Sequence, residues 1–177
     1  MSEKLNSVRL LKWIVWTSIV LIVGMTTWFW ADPESLRVLG VDFTLLDKHG
    51  GPENLAWWQK LAGFGADALP AGLLVTALLH LLGLLHQLEL GNWFDQQTEK
   101  ACERIGKTML WYLLASFFNE TILVLILTVM NAPGERQLSI SLSSDTLLGL
   151  VPALMALVIA QMVRHARAQR DELNQIV

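Results

Sequence analysis

Residues 108–130 read TMLWYLLASFFNETILVLILTVM, an apolar stretch interrupted at its centre by Asn119, Glu120 and Thr121. About 20 mainly apolar residues form a helix long enough to cross the hydrocarbon core of a bilayer. Open loops and sheet edges cannot face lipid, because each unpaired backbone group there costs several kcal/mol. The stretch therefore predicts a membrane-spanning helix with polar side chains near its middle.

Three further apolar stretches have the same length, at about 10–30, 68–88 and 147–166. The four spans together predict an all-α membrane protein, a four-transmembrane-helix bundle that forms one membrane domain over residues 1–177. Composition agrees, because 53% of the residues are hydrophobic and 16% are charged, whereas a soluble domain has roughly a quarter charged residues. The first span is too long for a signal peptide and lacks an Ala-x-Ala cleavage site, so we expect it to remain as a signal anchor.

The distribution of Lys and Arg predicts the orientation, because cytoplasmic connections carry an excess of both. Nine of these residues lie in the N-terminus, in the connection at 89–107, and in the tail at 167–177 together with the end of the helix that precedes the tail. The other four lie in the loops at 31–67 and 131–146. We therefore expect both termini in the cytoplasm. The nine are Lys4, Arg9, Lys12, Lys100, Arg104, Lys107, Arg164, Arg167 and Arg170, and the four are Arg37, Lys48, Lys60 and Arg136.

The two outer loops carry strand patterns. Residues 35–46 are rich in β-branched and apolar residues, and QLSISLS (137–143) alternates with the period of a strand. We expect the two to pair as a small extracytoplasmic β cap. Between them, GGPENLAWWQKL (50–61) predicts a short interfacial helix that carries two Trp residues, followed by Asp67 as the N-cap of the second span.

Polar residues share one face on each of two spans. On the third span, an arc of about 100° holds four polar side chains, and the second span has a similar stripe of Gly72, Thr76, His80, Gly83 and Gln87. Such faces are expected to pack on protein rather than on lipid. The predicted intramembrane polar cluster is Glu120, Asn119, His80, Thr76, Ser116 and Tyr112.

Glu120 needs a partner, because an isolated charge within the membrane is costly. Its distance from the inner end of its span places it about level with His80 and Thr76, so we expect a hydrogen bond to one of them. Three interpretations remain open: an interhelical clamp, a proton- or ion-coupled site, and a contact with a ligand or a partner helix. The fourth span adds a small-residue face that permits close backbone approach, made of Gly149, Ala153, Ala156 and Ala160.

The connection ELGNWFDQQTEKACERIGKTML (89–110) predicts a glycine turn at Gly91 and a helix that starts near Asp95 and continues into the third span. An aromatic pair, Trp93 and Phe94, lies between Gly91 and Asp95. This segment is either a capped re-entry turn anchored by aromatic residues or a docking surface for a cytosolic protein. The predicted partner-binding residues are Trp93, Phe94, Asp95, Glu99, Arg164 and Arg167.

The order Gly91-x-x-Phe94-Asp95, then Arg104-Ile105-Gly106, then a long apolar helix resembles the domain of unknown function 2975 family, a bacterial family of small four-span membrane proteins. The charged ending MVRHARAQRDELNQIV is similar to the ends of those proteins. The resemblance covers roughly residues 70–177. It implies location in the bacterial plasma (inner) membrane and membrane-linked regulation, with a cytosolic helix-turn-helix regulator as partner. The family supplies no catalytic residues, and this chain differs from it in the length and Trp content of its first outer loop.

Several function classes have no support in the sequence. No nucleophile or hydrolase motif is present, no Cys/His spacing suits a metal, and no cofactor motif occurs. The net charge of −3 does not favour direct nucleic-acid binding. The leading hypothesis is a non-catalytic regulatory or accessory membrane protein that binds a protein partner at its cytoplasmic face. The alternative is a small proton- or ion-coupled transporter or channel subunit that uses Glu120 and His80, which would require a homo-oligomer.

Overall fold

The computed structural model describes residues 2–38, 55–91, 93, 95–129 and 144–175, and all regular structure within them is helical. Each of the four long helices contains a stretch long and apolar enough to cross a membrane. The predicted all-α class is therefore confirmed, and four helices are candidates for the four predicted spans. The helices are α1 (Ser2–Ala31), the short α2 (Pro33–Val38), α3 (Trp57–Glu89), α4 (Gln96–Thr128) and α5 (Ser144–Gln175).

The long helices pack in chain order, each antiparallel to the next. α1 packs on α3, α3 on α4, and α4 on α5, whereas α1 and α5 do not pack extensively on each other within the described residues. At one end, Lys12 of α1 forms an ion pair with Glu89 of α3. We call this the basic end; α1 and α4 begin there, and α3 and α5 end there.

The register of α3 and α4 is set by polar contacts along their whole length. Near the end opposite the basic end, Gln59 Nε2 donates to the carbonyl oxygen of Ile126. Asp67 meets Asn119 further along, and Gln87 Nε2 donates to Gln97 Oε1 at the basic end. A step of one residue forward along α3 thus corresponds to a step of about one residue backward along α4, as in a regular antiparallel pair.

Small residues bring α4 and α5 close together. A Cβ atom on Gly106 would lie 2.6 Å from Leu157 Cγ and 3.2 Å from the carbonyl oxygen of Ala153. Ala153 and Ala160 are buried, and a Cβ on Gly149 would lie 2.5 Å from a methyl group of Leu113. The predicted small-residue face of the last span does permit close backbone approach, which is how helices associate in lipid.

The helix of the second span begins eleven residues before the predicted start at 68. α3 is one continuous helix from Trp57, so Trp57 and Trp58 belong to the second span and not to a separate interfacial helix, and Asp67 is not its N-cap. Residues 50–54 of the predicted interfacial segment lie outside the described residues. The early start is stabilised by tertiary contacts. The buried Gln59 side chain accepts from the Ala56 N–H at the helix start and donates to α4. These contacts outweigh the local signals of helix initiation near Asp67.

The predicted β cap is not supported. Residues 35–38, the start of the first predicted strand, belong to α2. Asp32 Oδ1 accepts from the Ser35 N–H at 3.4 Å, and Pro33 occupies the first helical position, where proline is favoured. These helix-start signals outweigh the strand propensity that follows. Residues 39–46 and 137–143 lie outside the described residues.

Three residues of the polar stripe predicted on the second span do not face the bundle interior, whereas Gln87 donates to Gln97 of α4. Gly72, Thr76 and Gly83 are exposed, and a Cβ on either glycine would meet no atom within 4 Å. Instead, α3 packs on α1 through aliphatic residues around the buried Leu85. Lipid tails are as apolar as Leu, so polarity alone does not determine which face of a span contacts protein.

Candidate functional site

A carboxylate on α3 joins three helices. Asp67 Oδ2 accepts a hydrogen bond from Trp30 Nε1 of α1 at 2.7 Å. Asp67 Oδ1 accepts one from Asn119 Nδ2 of α4 at 2.6 Å. Asp67 thus contacts both helices that flank α3, at a level well inside the candidate span Trp57–Glu89.

Trp30 reaches Asp67 because of a glycine on α3. The indole is only 6% exposed and lies against Gly63, where any Cβ atom would overlap the six-membered ring. Phe29 packs edge-on against the same indole, with ring centroids 5.5 Å apart. Gly63, one turn before Asp67, and Phe29, next to Trp30, therefore position the Trp30 N–H on the Asp67 carboxylate.

A cavity of about 420 Å³ lies beside this carboxylate. α4 contributes three of its polar side chains to the lining, at positions that lie on one helical face. α1 and α3 contribute most of the apolar wall. The lining residues are Ile22, Met25, Thr26, Phe29, Asp67, Pro70, Ala71, Leu74, Tyr112, Ser116 and Asn119.

The site has an unpaired acceptor beside the carboxylate. Asn119 uses its amide nitrogen on Asp67, and its Oδ1 atom is buried without a hydrogen-bond partner. Thr26 uses its hydroxyl on the carbonyl oxygen of Ile22. The arrangement can accept hydrogen bonds and compensate a positive charge. It has no activated nucleophile.

The structure brings together only part of the predicted intramembrane cluster. Tyr112, Ser116 and Asn119 line the cavity, but Glu120 does not, and no hydrogen bond of Glu120 occurs in the part of the chain that the structure describes. The predicted contact of Glu120 with His80 or Thr76 is not formed. The α3–α4 register explains this difference. Because Asn119 lies level with Asp67, His80 lies thirteen residues further along α3, or about 20 Å at 1.5 Å per residue.

Thr76 also satisfies its hydroxyl locally, by donating to the carbonyl oxygen of Gly72 at 2.8 Å. Sequence reasoning missed Asp67 and Trp30 as site residues. The available signal was that Asp67 is the only Asp, Glu, Lys or Arg between Lys60 and Glu89. A lone charge far from both ends of an apolar helix marks a functional position by default.

A second polar surface lies at the basic end. Gly91 adopts the left-handed conformation, with φ of 79°, that a tight turn after α3 requires. Asp95 Oδ1 accepts from the Gln96 N–H at 2.7 Å, so the predicted N-cap of α4 is confirmed. Trp93 is 55% exposed. Phe94 lies outside the described residues.

Glu99 connects α4 with α5 at this end. Its carboxylate is 14% exposed and pairs with Arg167 Nη1 at 3.2 Å and with Arg164 Nε at 3.6 Å. Beside these pairs, α4 and α5 form an open groove of about 290 Å³ with an apolar floor and a charged rim. We call this the docking groove; it is lined by Glu99, Glu103, Lys107, Leu154, Leu157, Val158, Ala160, Gln161 and Arg164.

Comparisons with known proteins complete the description of the two sites. No group of three or more His, Cys, Asp or Glu side chains is placed to hold a metal ion in the described ranges. Comparison of the chain with protein families, with curated proteins and with solved structures found no match. The resemblance to the domain of unknown function 2975 family thus stays a prediction. The function must therefore be argued from the geometry.

Proposed function

We propose that the chain is a non-catalytic regulatory or accessory membrane protein that binds a protein partner at its basic end, which faces the cytoplasm. The observation that carries the proposal is the length of α4. Its 33 residues extend about 50 Å, whereas the hydrocarbon core is about 30 Å thick. The excess lies at the basic end, where residues 96–107 include five charged side chains.

α5 extends in the same way and pairs with α4 there. No charged residue lies between 149 and 163, and the first basic side chain after them is Arg164. Glu99 then holds the two extensions together through Arg164 and Arg167. Spanning the membrane does not require this paired segment, so a role outside the bilayer is its simplest explanation.

The docking groove suits an amphipathic segment of a partner. Its floor is formed by Leu154, Leu157 and Val158, which lie within the candidate span of α5, and its rim carries both signs of charge. An apolar groove with a charged rim is how helical peptides are commonly bound, since the floor supplies affinity and the rim sets orientation. A cytosolic helix-turn-helix regulator, as the family resemblance implies, is a partner that could present such a segment.

Site-specific photo-crosslinking in native membranes tests this function. A photoreactive residue at Glu103, which lines the groove, should form an adduct with a discrete protein. The same residue at Arg104, which is exposed on the same helix but outside the groove, should not. Lys107→Glu should abolish the Glu103 adduct without reducing the amount of membrane-inserted protein. Identical adducts at both positions, or none at Glu103, would count against docking.

A second function, an oligomeric proton- or ion-coupled transporter subunit, is favoured by one observation. The cavity between α1, α3 and α4 contains Asp67 and three polar side chains of α4, as a path for an ion would need. Such a path would have to pass Asp67 and Asn119, because Glu120 and His80 are not brought together. Reconstituted vesicles that show cation-coupled uptake, lost in Asp67→Asn but not in Glu120→Gln, would favour this function over docking.

A further inference from the structure

The cavity between α1, α3 and α4 contains a carboxylate without a counter-charge. None of its described lining residues is Lys, Arg or His. The ion pairs found among the described residues involve Glu89, Glu99 and Glu103, and none includes Asp67. The N–H groups of Trp30 and Asn119 stabilise the carboxylate, but they are neutral.

A partly buried negative charge within an apolar helix is costly unless a positive group accompanies it. Asp67 lies ten residues, or about 15 Å, from the start of α3 at Trp57. It is the only Asp, Glu, Lys or Arg between Lys60 and Glu89 of that helix. The protein supplies two neutral donors but no cation along the described lining, so a positively charged occupant of the cavity would stabilise the carboxylate further.

The size and walls of the cavity indicate what kind of cation fits. A volume of about 420 Å³ lies within the range of small-molecule sites. The aromatic side chains of Phe29 and Tyr112 line it together with the carboxylate. Aromatic faces beside a carboxylate are the combination that recognises ammonium groups, through cation–π attraction and charge.

A bare metal ion fits less well. Hard metal ions such as Ca²⁺ take six or more oxygen ligands. Here both Asp67 oxygens already accept N–H groups, and the Thr26 hydroxyl is used on its own helix. Most of the remaining wall is carbon, including Met25, Pro70 and Leu74, which suits an organic group.

We propose that this cavity binds the ammonium group of an organic cation, with Asp67 as the counter-ion and Phe29 and Tyr112 as aromatic contacts. The cation is either the ethanolamine headgroup of a membrane lipid or a free amine of similar size, since both present the same chemistry. The cavity lies in the opposite half of the bundle from the docking groove. Its occupancy is therefore independent of the proposed partner.

Thermal unfolding in nanodiscs tests the proposal. The purified full chain is placed in phosphatidylglycerol nanodiscs, which carry no ammonium group, and ethanolamine, tetramethylammonium or Na⁺ is added as the chloride at constant ionic strength. At least one of the two ammonium compounds should raise the Tm saturably, and Na⁺ should not. Asp67→Asn should weaken the apparent affinity at least tenfold, because it removes the counter-ion. Glu120→Gln, a carboxyl outside the cavity, should leave it unchanged.

Phosphatidylethanolamine nanodiscs distinguish the two sources. If the occupant is the lipid headgroup, these nanodiscs raise the Tm and added ethanolamine gives no further shift. If the occupant is a free amine, the lipid has no effect and the ethanolamine shift persists. Either result supports an ammonium site.

A cavity-filling variant keeps the test decisive if Asp67→Asn does not fold. Ala71→Leu adds volume to the lining and leaves the hydrogen bonds of Asp67 in place. It should abolish the ammonium shift in a folded protein. The proposal is overturned if ammonium compounds give no shift, if Na⁺ gives an equal one, or if Ala71→Leu or a folded Asp67→Asn keeps the full shift.

Discussion

Asn119 Nδ2 donates a 2.6 Å hydrogen bond to Asp67 Oδ1, across 52 positions of the chain. The pair sets the level at which α3 and α4 meet. It also places a carboxylate beside the cavity between α1, α3 and α4. One contact therefore determines both the register of the central helix pair and the chemistry of the site.

Asp67→Asn should lower the stability of the folded protein. An amide cannot accept from both the Trp30 and the Asn119 N–H groups, because one of its two terminal atoms is itself a donor. We expect a loss of about 1–2 kcal/mol, typical of a hydrogen bond between membrane helices. The measurement is thermal or denaturant unfolding in detergent. Glu120→Gln is the control and should have little effect; equal losses in both variants would contradict the network.

Gly63→Ala should displace the Trp30 indole. The added Cβ would overlap the six-membered ring, and overpacking of this kind costs about 1–3 kcal/mol. Gly65 lies on the same helix with no atom within 4 Å of its Cβ position. Gly65→Ala should therefore be neutral or slightly stabilising, since Ala is the better helix former. Near-UV circular dichroism and unfolding measurements would compare the two. An undisturbed Gly63→Ala protein would show that Trp30 does not occupy this position.

Glu99→Gln should loosen the paired extension of α4 and α5. The change removes the charge that holds Arg164 and Arg167. A loss of about 1 kcal/mol corresponds to about a fivefold faster cleavage of the α5 end by trypsin. Glu103→Gln is the matched control, because Glu103 pairs with Lys107 of its own helix. If both variants are cleaved at the wild-type rate, Glu99 does not hold the extension.

Cysteine labelling should show that the basic end faces the cytoplasm. In a Cys102→Ser background, Trp57→Cys should react with a membrane-impermeant maleimide in intact spheroplasts. Trp93→Cys should react only after permeabilisation, because the excess of Lys and Arg retains its end inside. Both side chains are exposed, so access depends on the side of the membrane. The reverse labelling pattern would invert the proposed orientation.

The sequence was sufficient for the class of fold, because a span needs only length and apolarity. The Asp95 cap and the small-residue face around Ala153 were also predictable, since a cap is local and a helical face follows from the 3.6-residue period. The start of α3 at Trp57 was not predictable from the sequence. Asp67 and Pro70 resemble a helix start, and only the tertiary contacts of Gln59 and Gly63 account for a helix that begins eleven residues earlier, at Trp57.

The candidate site was predicted only in part, because sequence spacing determines a helical face but not the residues that face it on the next helix. The face of Tyr112, Ser116 and Asn119 follows from spacing within one helix. Its partner depends on the register between helices. The prediction took the inner ends of the two spans, near residues 88 and 108, as level, whereas Gln87 meets Gln97, so His80 lies far from Glu120. The outward position of Gly72 and Gly83 could not be read from polarity, because in lipid an aliphatic face packs on protein as readily as a polar one.

The chain-order packing of the helices has a consequence for how the protein is made. α3 finds its partner in α1, α4 finds its partner in α3, and α5 finds its partner in α4. Every span that leaves the insertion machinery therefore meets a surface that is already in the membrane. Assembly can proceed during synthesis, as for domains that fold in order from the N-terminus. A chain shortened after α4 should then still form the helix trio that encloses the Asp67 cavity.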